Sequence, residues 1–215
     1  MADSLFCRFF LSMRHAQICL RALHSEPRNH GPGRERLAAR GKTRWIPTDR
    51  PKGRAARSPV TRNGHDWTDK YPLIVEAARR NRCTSFVIDG EAVLLGVDGR
   101  SDFDGLHSRK HNDEVQFYAF DILVADGEDV RKLPLSMRKT NLSRLFARRV
   151  DGIFLSDFEQ GEIGPDLFRH ACLMGLEGLV SKHKDRPYRA GRSPHWVKMK
   201  NPKHPAMTRV QDAHR

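Results

Sequence analysis

Between Gly175 and Lys200 an acid and several lysines recur at spacings that suit phosphate chemistry. The stretch reads Gly175-Leu176-Glu177-Gly178-Leu179-Val180-Ser181-Lys182, then a polar turn, then Gly191-Arg192-Ser193-Pro194-His195-Trp196-Val197-Lys198-Met199-Lys200. The last five residues alternate in character, so Lys198 and Lys200 project from one face of a strand. A carboxylate beside such a pair suits a metal-bound polyphosphate. The acid, Glu177, can hold Mg²⁺ while the lysines take the phosphate oxygens. An edge strand with a solvated lysine face shows the same pattern, so periodicity alone leaves both readings open.

Three other residues stand out singly. Glu91 lies in an apolar run directly after Asp89-Gly90. An acid buried there is costly unless something pairs with it, and a structural ion pair with an arginine is one solution. Phe120, in Tyr118-Ala119-Phe120-Asp121, has the ordinary reading of a core aromatic in a strand. Arg62, beside an Asn-Gly turn, reads on its own as a surface arginine.

The elements that must carry these residues begin near Val60. Asp69 can cap a helix with Pro72 in its first turn, and Tyr71, Ile74, Val75 and Ala78 continue it to about Arg80. Phe86 to Leu95 reads as a strand interrupted at Asp89-Gly90, followed by a hairpin-like turn at Val97–Arg100. A short helix or turn covers Phe103 to His107. Val115 to Val124 is a strong strand, with a partner expected around Val130 to Leu133. Ser136 can cap a helix to about Arg149 with Leu142, Leu145 and Phe146 on its buried stripe. Gly152 to Leu155 reads as a strand. Pro165 opens a helix to about Met174, with Gly175 as its C′ residue, and the two strands of the lysine stretch follow. The pattern is mixed α+β, largely antiparallel, without an internal repeat or a Gly-rich phosphate loop.

Composition narrows the partners. The 215 residues carry a net charge of +13 with a pI near 10.1, which favours a polyanion, nucleic acid before an anionic membrane. Residues 1 to 60 hold 11 Arg and 2 Lys against 4 acids, so most of the excess lies outside the part that reads as folded. No apolar run is long enough to span a membrane. The four cysteines form no CxxC pair and no histidines fall in a metal-binding motif, so neither a zinc site nor a disulfide framework is signalled. Reduced thiols suggest a cytoplasmic setting. Residues 1–58 are expected to be irregular: Met1 to Leu23 suggests an amphipathic helix superficially like a presequence, and Ser25 to Ser58 reads as disordered.

Taken together, five segments cease to be independent. Thr61-Arg62-Asn63-Gly64-His65-Asp66-Trp67-Thr68, Phe86-Val87-Ile88-Asp89-Gly90-Glu91-Ala92-Val93, Tyr118-Ala119-Phe120-Asp121-Ile122-Leu123, Glu177-Gly178-Leu179-Val180-Ser181-Lys182 and Trp196-Val197-Lys198-Met199-Lys200 occur in this order. The set resembles the nucleotidyltransferase domain of ATP-dependent DNA ligases, with most likeness to bacterial ligases associated with double-strand-break repair. The resemblance covers residues 59–206, leaving 207–215 as a tail. It implies an α+β, ATP-grasp-like domain of antiparallel sheets flanked by helices. It also implies a reaction: a lysine attacks the α-phosphate of ATP, AMP passes to the 5′-phosphate at a nick, and the 3′-hydroxyl displaces AMP and seals the strand. ATP and Mg²⁺ would be the cofactors, nicked or broken double-stranded DNA the partner, repair and recombination the setting, and the bacterial nucleoid the location. By the same resemblance, Phe120 would stack on adenine and Glu91 would bond the ribose or assist the metal. Lys182 would join the cofactor site and Glu177 would help to bind Mg²⁺. Lys198 and Lys200 would neutralise phosphates, and Arg62 would contact the AMP or nick phosphate.

The chain departs from the family pattern in one place. A Lys-x-Asp-Gly motif carrying the nucleophile shortly precedes the Arg62 motif in the family, and this sequence contains none. Lys42 is followed by Thr43-Arg44-Trp45, and Lys52 by Gly53 but too near Arg62. An out-of-frame or mis-started N-terminus would produce this junction, and a Lys-x-Asp-Gly run in another reading frame would reveal it. Few residues follow Lys200, leaving no room for an OB-fold domain. The expectation is therefore a truncated ligase-family protein defective in self-adenylation. The alternative is a pseudoenzyme that holds nucleotide or DNA. A third possibility, an RNA ligase or capping guanylyltransferase, is disfavoured by Arg62-Asn63-Gly64-His65-Asp66 and by Lys198-Met199-Lys200-Asn201-Pro202-Lys203.

Overall fold

The computed structural model describes residues 5–10, 17–22, 57–61 and 66–204, apart from positions 84, 149, 162–164 and 192. Arg62, Lys42, Lys52 and the tail lie outside the described residues. In chain order the elements are β1 (Leu5–Phe10), β2 (Gln17–Ala22), β3 (Arg57–Thr61), α1 (Pro72–Arg80), β4 (Phe86–Val93), α2 (Phe103–Ser108) and β5 (Gln116–Ala125). They continue with β6 (Glu128–Asp129), α3 (Leu135–Leu145), β7 (Ile153–Leu155), β8 (Glu159–Gly161), α4 (Pro165–Leu173), β9 (Gly178–His183) and β10 (Trp196–Lys200).

Two sheets result. The larger has the order β3-β2-β4-β5-β6, with β7 also on β5; the smaller is β10-β9-β1-β8. All pairs are antiparallel except β5–β7. The early chain thus supplies a strand to each sheet. Residues 1–58 read as irregular, with an amphipathic helix possible at the start, but Leu5–Phe10 and Gln17–Ala22 are strands. Ile18-Cys19-Leu20 is a short apolar run between Gln17 and Arg21, of a length that suits a strand. Without β1, the β9 backbone would lack a ladder partner on one side, an unfavourable state for polar main-chain groups.

β4 is buried along its whole length, so both its faces are covered. Phe86, Ile88 and Ala92 turn to one face and join Ile74, Ala77, Ala78, Phe117, Ala119, Ile122, Leu142 and Phe146 in the main core. Burying each large apolar side chain contributes about 1.5–3 kcal/mol. The α1 sequence places Ile74, Val75, Ala77 and Ala78 on its buried stripe. Its N-terminus is capped not by Asp69 but by Tyr71, without a side-chain bond, because the preceding chain turns on the Trp67 carbonyl, which accepts from Lys70 N (2.9 Å) and Tyr71 N (3.3 Å). Ser136 likewise lies inside α3 rather than at its cap. Pro134 occupies the cap, and the first-turn amides of Leu135 and Ser136 donate to the Arg186 and Lys184 carbonyls at 3.1 and 2.9 Å. α3 ends at Leu145, short of Arg149. The partner of β5 expected at Val130–Leu133 lies instead just before it, as β6 at Glu128–Asp129, and residues 130–133 are not a strand; β8 is an element the sequence did not suggest. Gly175, with φ 71°, takes the left-handed conformation expected after α4.

Candidate adenylate and phosphate site

The site residues sit where the two sheets approach. On β4, alternation puts Asp89 and Glu91 on the face away from the main core; both are buried. On β5 the register slips twice against β4. Asp89 pairs Asp121 while Gly90 pairs Ala119, and Val87 pairs Val124 while Ile88 pairs Ile122. Phe120 and Leu123 are therefore the extra residues of two bulges. A bulge re-aims the side chain it carries, and that of Phe120, only 5% exposed, is thereby released from the core rhythm.

From the smaller sheet, the Lys182 ammonium lies 4.8 Å from the Phe120 ring centre and 4.2 Å from that of Trp196. Lys182 and Trp196 are register partners across β9 and β10. Leu179 of β9 and Met199 of β10 pack with Ala171 of α4. Alternation then places Lys182 with Trp196, Lys198 and Lys200 on the opposite face. Lys198 and Lys200 are exposed, whereas Lys182 is only 9% exposed. One strand face thus grades from a cation between two rings to two solvated cations, an arrangement suited to a flat base at one end and phosphates at the other.

Glu177 is wholly buried at the entry to β9. Its carbonyl accepts Asn201 N at 2.7 Å, and Asn201 Nδ2 donates to the Leu176 carbonyl at 3.0 Å. These bonds tie the end of β10 to the start of β9. Between them Gly178 lets the strands close: a Cβ there would run into the Met199 carbonyl and lie 3.0 Å from the Lys200 Cα. Gly178→Ala is expected to cost about 1–3 kcal/mol, read as a lowered thermal midpoint, because backbone rather than a flexible side chain must yield.

Of the residues singled out in the sequence, Phe120 and Lys182 meet across the two sheets, and Lys198 and Lys200 lie on the same strand face as Lys182. Sequence reasoning misses Trp196 as part of the same cluster, and it misses Tyr188, whose hydroxyl reaches Asp89 Oδ2 at 3.4 Å and whose ring meets Trp196 edge-on at 6.1 Å. A Tyr and a Trp flanking a Gly-Arg turn were the available signal. Glu91 pairs in register with Tyr118 on one side and Gln17 on the other. The Tyr118 phenol has its pKa raised by burial and, secondarily, by Asp157. Near the Tyr188 loop, Arg131 holds the Asp129 carboxyl down to about 2, so this exposed pair stays ionised under working conditions.

Residues 54–200 match the ATP dependent DNA ligase domain family. The multifunctional non-homologous end joining protein LigD of Pseudomonas aeruginosa is 33% identical over 144 residues, which is 66% of this chain and 17% of that protein. A probable DNA ligase of a Nocardioides species is 37% identical over 148 residues, covering 66% of this chain and 28% of that protein. The chain thus spans less than a third of either relative. Among solved structures, the ligase domain of M. tuberculosis LigD superposes with a TM-score of 0.65 at 23% identity, over 93% of this chain and 54% of that one. The ATP-dependent DNA ligase of bacteriophage T7, in complex with ATP, gives 0.52 at 14% identity, over 94% of this chain and 63% of that one. These likenesses establish the α+β fold of a ligase-type nucleotidyltransferase domain.

Proposed function

This chain belongs to the ATP-dependent DNA ligase family, and on that premise we propose that it seals nicks in DNA that already carry a 5′-adenylate, in repair of the end-joining type, without adenylating itself. The observation that carries the reading is the cluster of Phe120, Lys182 and Trp196, with Lys198 and Lys200 continuing along the same strand face. Adenine stacks on Phe120 beside the Lys182 ammonium; the phosphates extend toward Lys198 and Lys200. In the sealing step the nick's 3′-hydroxyl oxygen forms a bond to the 5′-phosphorus. The bond from that phosphorus to the AMP oxygen breaks, AMP leaves with the electron pair, and the hydroxyl proton passes to solvent. Catalysis of this kind is positioning and charge stabilisation. Lys198 and Lys200 supply positive charge where the departing phosphate gathers negative charge, and Glu91 orients the ribose.

Among the described residues no three His, Cys, Asp or Glu side chains gather to hold a metal ion. Mg²⁺ is proposed to be shared between substrate phosphates and one carboxylate, Glu177, with Glu91 either bonding the ribose or assisting the ion. When bound, the ion would offset phosphate charge. Arg62 is proposed to contact the AMP or nick phosphate. No helix among the described residues is long and apolar enough to cross a membrane, and the proposed partner is duplex DNA.

The test is a nicked duplex bearing 5′-AMP, mixed with the chain and Mg²⁺ but no ATP. Sealed strand is expected. Binding of the duplex without any sealing would favour a non-catalytic, ligase-like binding module. In the same assay Phe120→Ala is expected to weaken AMP binding about 5–150-fold, the loss of one base–aromatic stack, measured by competition of free AMP with sealing.

A further inference from the structure

Arg138 is the largest wholly buried side chain among the described residues, at 1% exposure, and the ligase reaction as described does not use it. It lies on α3 between Leu135 and Leu142, in the middle of the helix's buried stripe. Its Nε and Nη2 grip Asp121 Oδ1 and Oδ2 at 2.8 and 2.9 Å, and Asp121 is itself 0% exposed. The third arm of the guanidinium donates to the Leu133 carbonyl at 2.6 Å and to the Arg186 carbonyl at 3.3 Å. Asp121 directly follows the bulge residue Phe120, while Arg186 lies in the connection from β9 to β10.

That connection is held by main-chain bonds as well. The Arg186 and Lys184 carbonyls cap α3, and Tyr188 N donates to the Arg131 carbonyl at 2.8 Å. Tyr188 then bonds Asp89 and packs against Trp196, whose ring holds Lys182. A continuous chain of contacts thus runs from the Asp121 carboxylate through Arg138 and the 184–188 loop to Trp196 and, through it, to Lys182, which faces Phe120.

Stability alone is a weak reason for such a pair, since desolvating two charges commonly costs as much as their attraction returns. What the pair does provide is direction. A guanidinium fork fixes its acceptors in one plane, and here they belong to a strand of the larger sheet (Asp121) and to the connection between two strands of the smaller one (Arg186). We propose that Arg138 and Asp121 are positioning residues: a buried latch that sets the separation between Phe120 on the larger sheet and Lys182 with Trp196 on the smaller one. The inference rests on the adenylate site proposed above. Neither residue touches the nucleotide.

Arg138→Lys is the first test. An ammonium keeps the charge opposite Asp121 but cannot span Asp121 and both carbonyls. Amide exchange at Leu135, Ser136 and Tyr188, followed by NMR or mass spectrometry, is expected to quicken at least about tenfold as the loop loosens. Sealing of a 5′-adenylated nick at saturating DNA is expected to fall about 10–100-fold, with DNA affinity unchanged. The double variant Asp121→Leu with Arg138→Met removes both buried charges, so it guards against simple unfolding. It is expected to keep a cooperative thermal transition yet show the same fall in rate. Full sealing by a folded double variant would overturn the proposal, as would unaltered amide exchange in Arg138→Lys. Were the unmodified chain itself unable to seal or to bind AMP, the ligase reading would fail, and the exchange measurement alone would decide whether the latch exists.

Discussion

Lys198→Ala is expected to slow single-turnover sealing of a 5′-adenylated nick by about 10²–10³-fold, the usual loss when one preorganised charge at a developing anion is removed. The reasoning is geometric. Lys198 stands between Trp196 and Lys200 on the strand face that begins with the ring-bound Lys182. It is exposed on an edge strand, and a thermal midpoint measured alongside the rate is the control that the fold is unchanged. Any rate loss then reports on the reaction rather than on the fold. Lys200→Ala should act in the same direction. Loss of Glu177 should also abolish sealing, but that side chain is wholly buried, and its removal must be accompanied by a check of the thermal transition. Sealing that survives Lys198→Ala undiminished would show that the β10 lysines form a solvated edge and nothing more.

The second large effect is an absence. Incubation with α-labelled ATP and Mg²⁺ is expected to leave no acid-labile AMP on the protein. A phosphoramide requires an amine that can lose its proton. The strands beside the site strands are β1, next to β9, and β2, next to β4, and residues 1–41 contain no lysine at all. Their arginines remain protonated and cannot serve. The lysines at the site itself, Lys182 between two rings and Lys198 and Lys200 beyond it, are proposed to hold base and phosphates, and the first lysines upstream, Lys42 and Lys52, lack the Asp-Gly that follows the nucleophile in the family. A labelled band that vanishes in Lys42→Ala would make Lys42 the nucleophile and return the whole reaction to this chain.

Much of this was legible in the residues because several short patterns had to agree. Trp196-Val197-Lys198-Met199-Lys200 alternates, and the structure has a strand there with its lysines in step. The antiparallel α+β class followed from hairpin turns between runs of β-branched and aromatic residues. What stayed hidden was non-local. Phe120 owes its release from the core to a register slip against Asp89 and Gly90, and strand register is not written in either strand alone. The cap of α3 comes from the Lys184 and Arg186 carbonyls, so Ser136 was the reasonable local choice and the wrong one. Arg138 fits the i, i+3, i+7 stripe with Leu135 and Leu142, yet a charged residue there reads as a surface position until Asp121 is seen opposite it. β1 and β2 are short apolar runs interrupted by Arg8 and Arg21, and so short a run does not separate strand from helix by periodicity.

The claim on which the account turns is that adenine lies against Phe120, beside Lys182. Its most direct measurement is the nuclear Overhauser contact between AMP bound to the unmodified chain and the Phe120 ring. The account predicts contacts from adenine H2 or H8 to the Phe120 ring protons, accompanied by a shift of the Lys182 side-chain resonances. AMP that binds without touching either residue, or that does not bind at millimolar concentration, would contradict it.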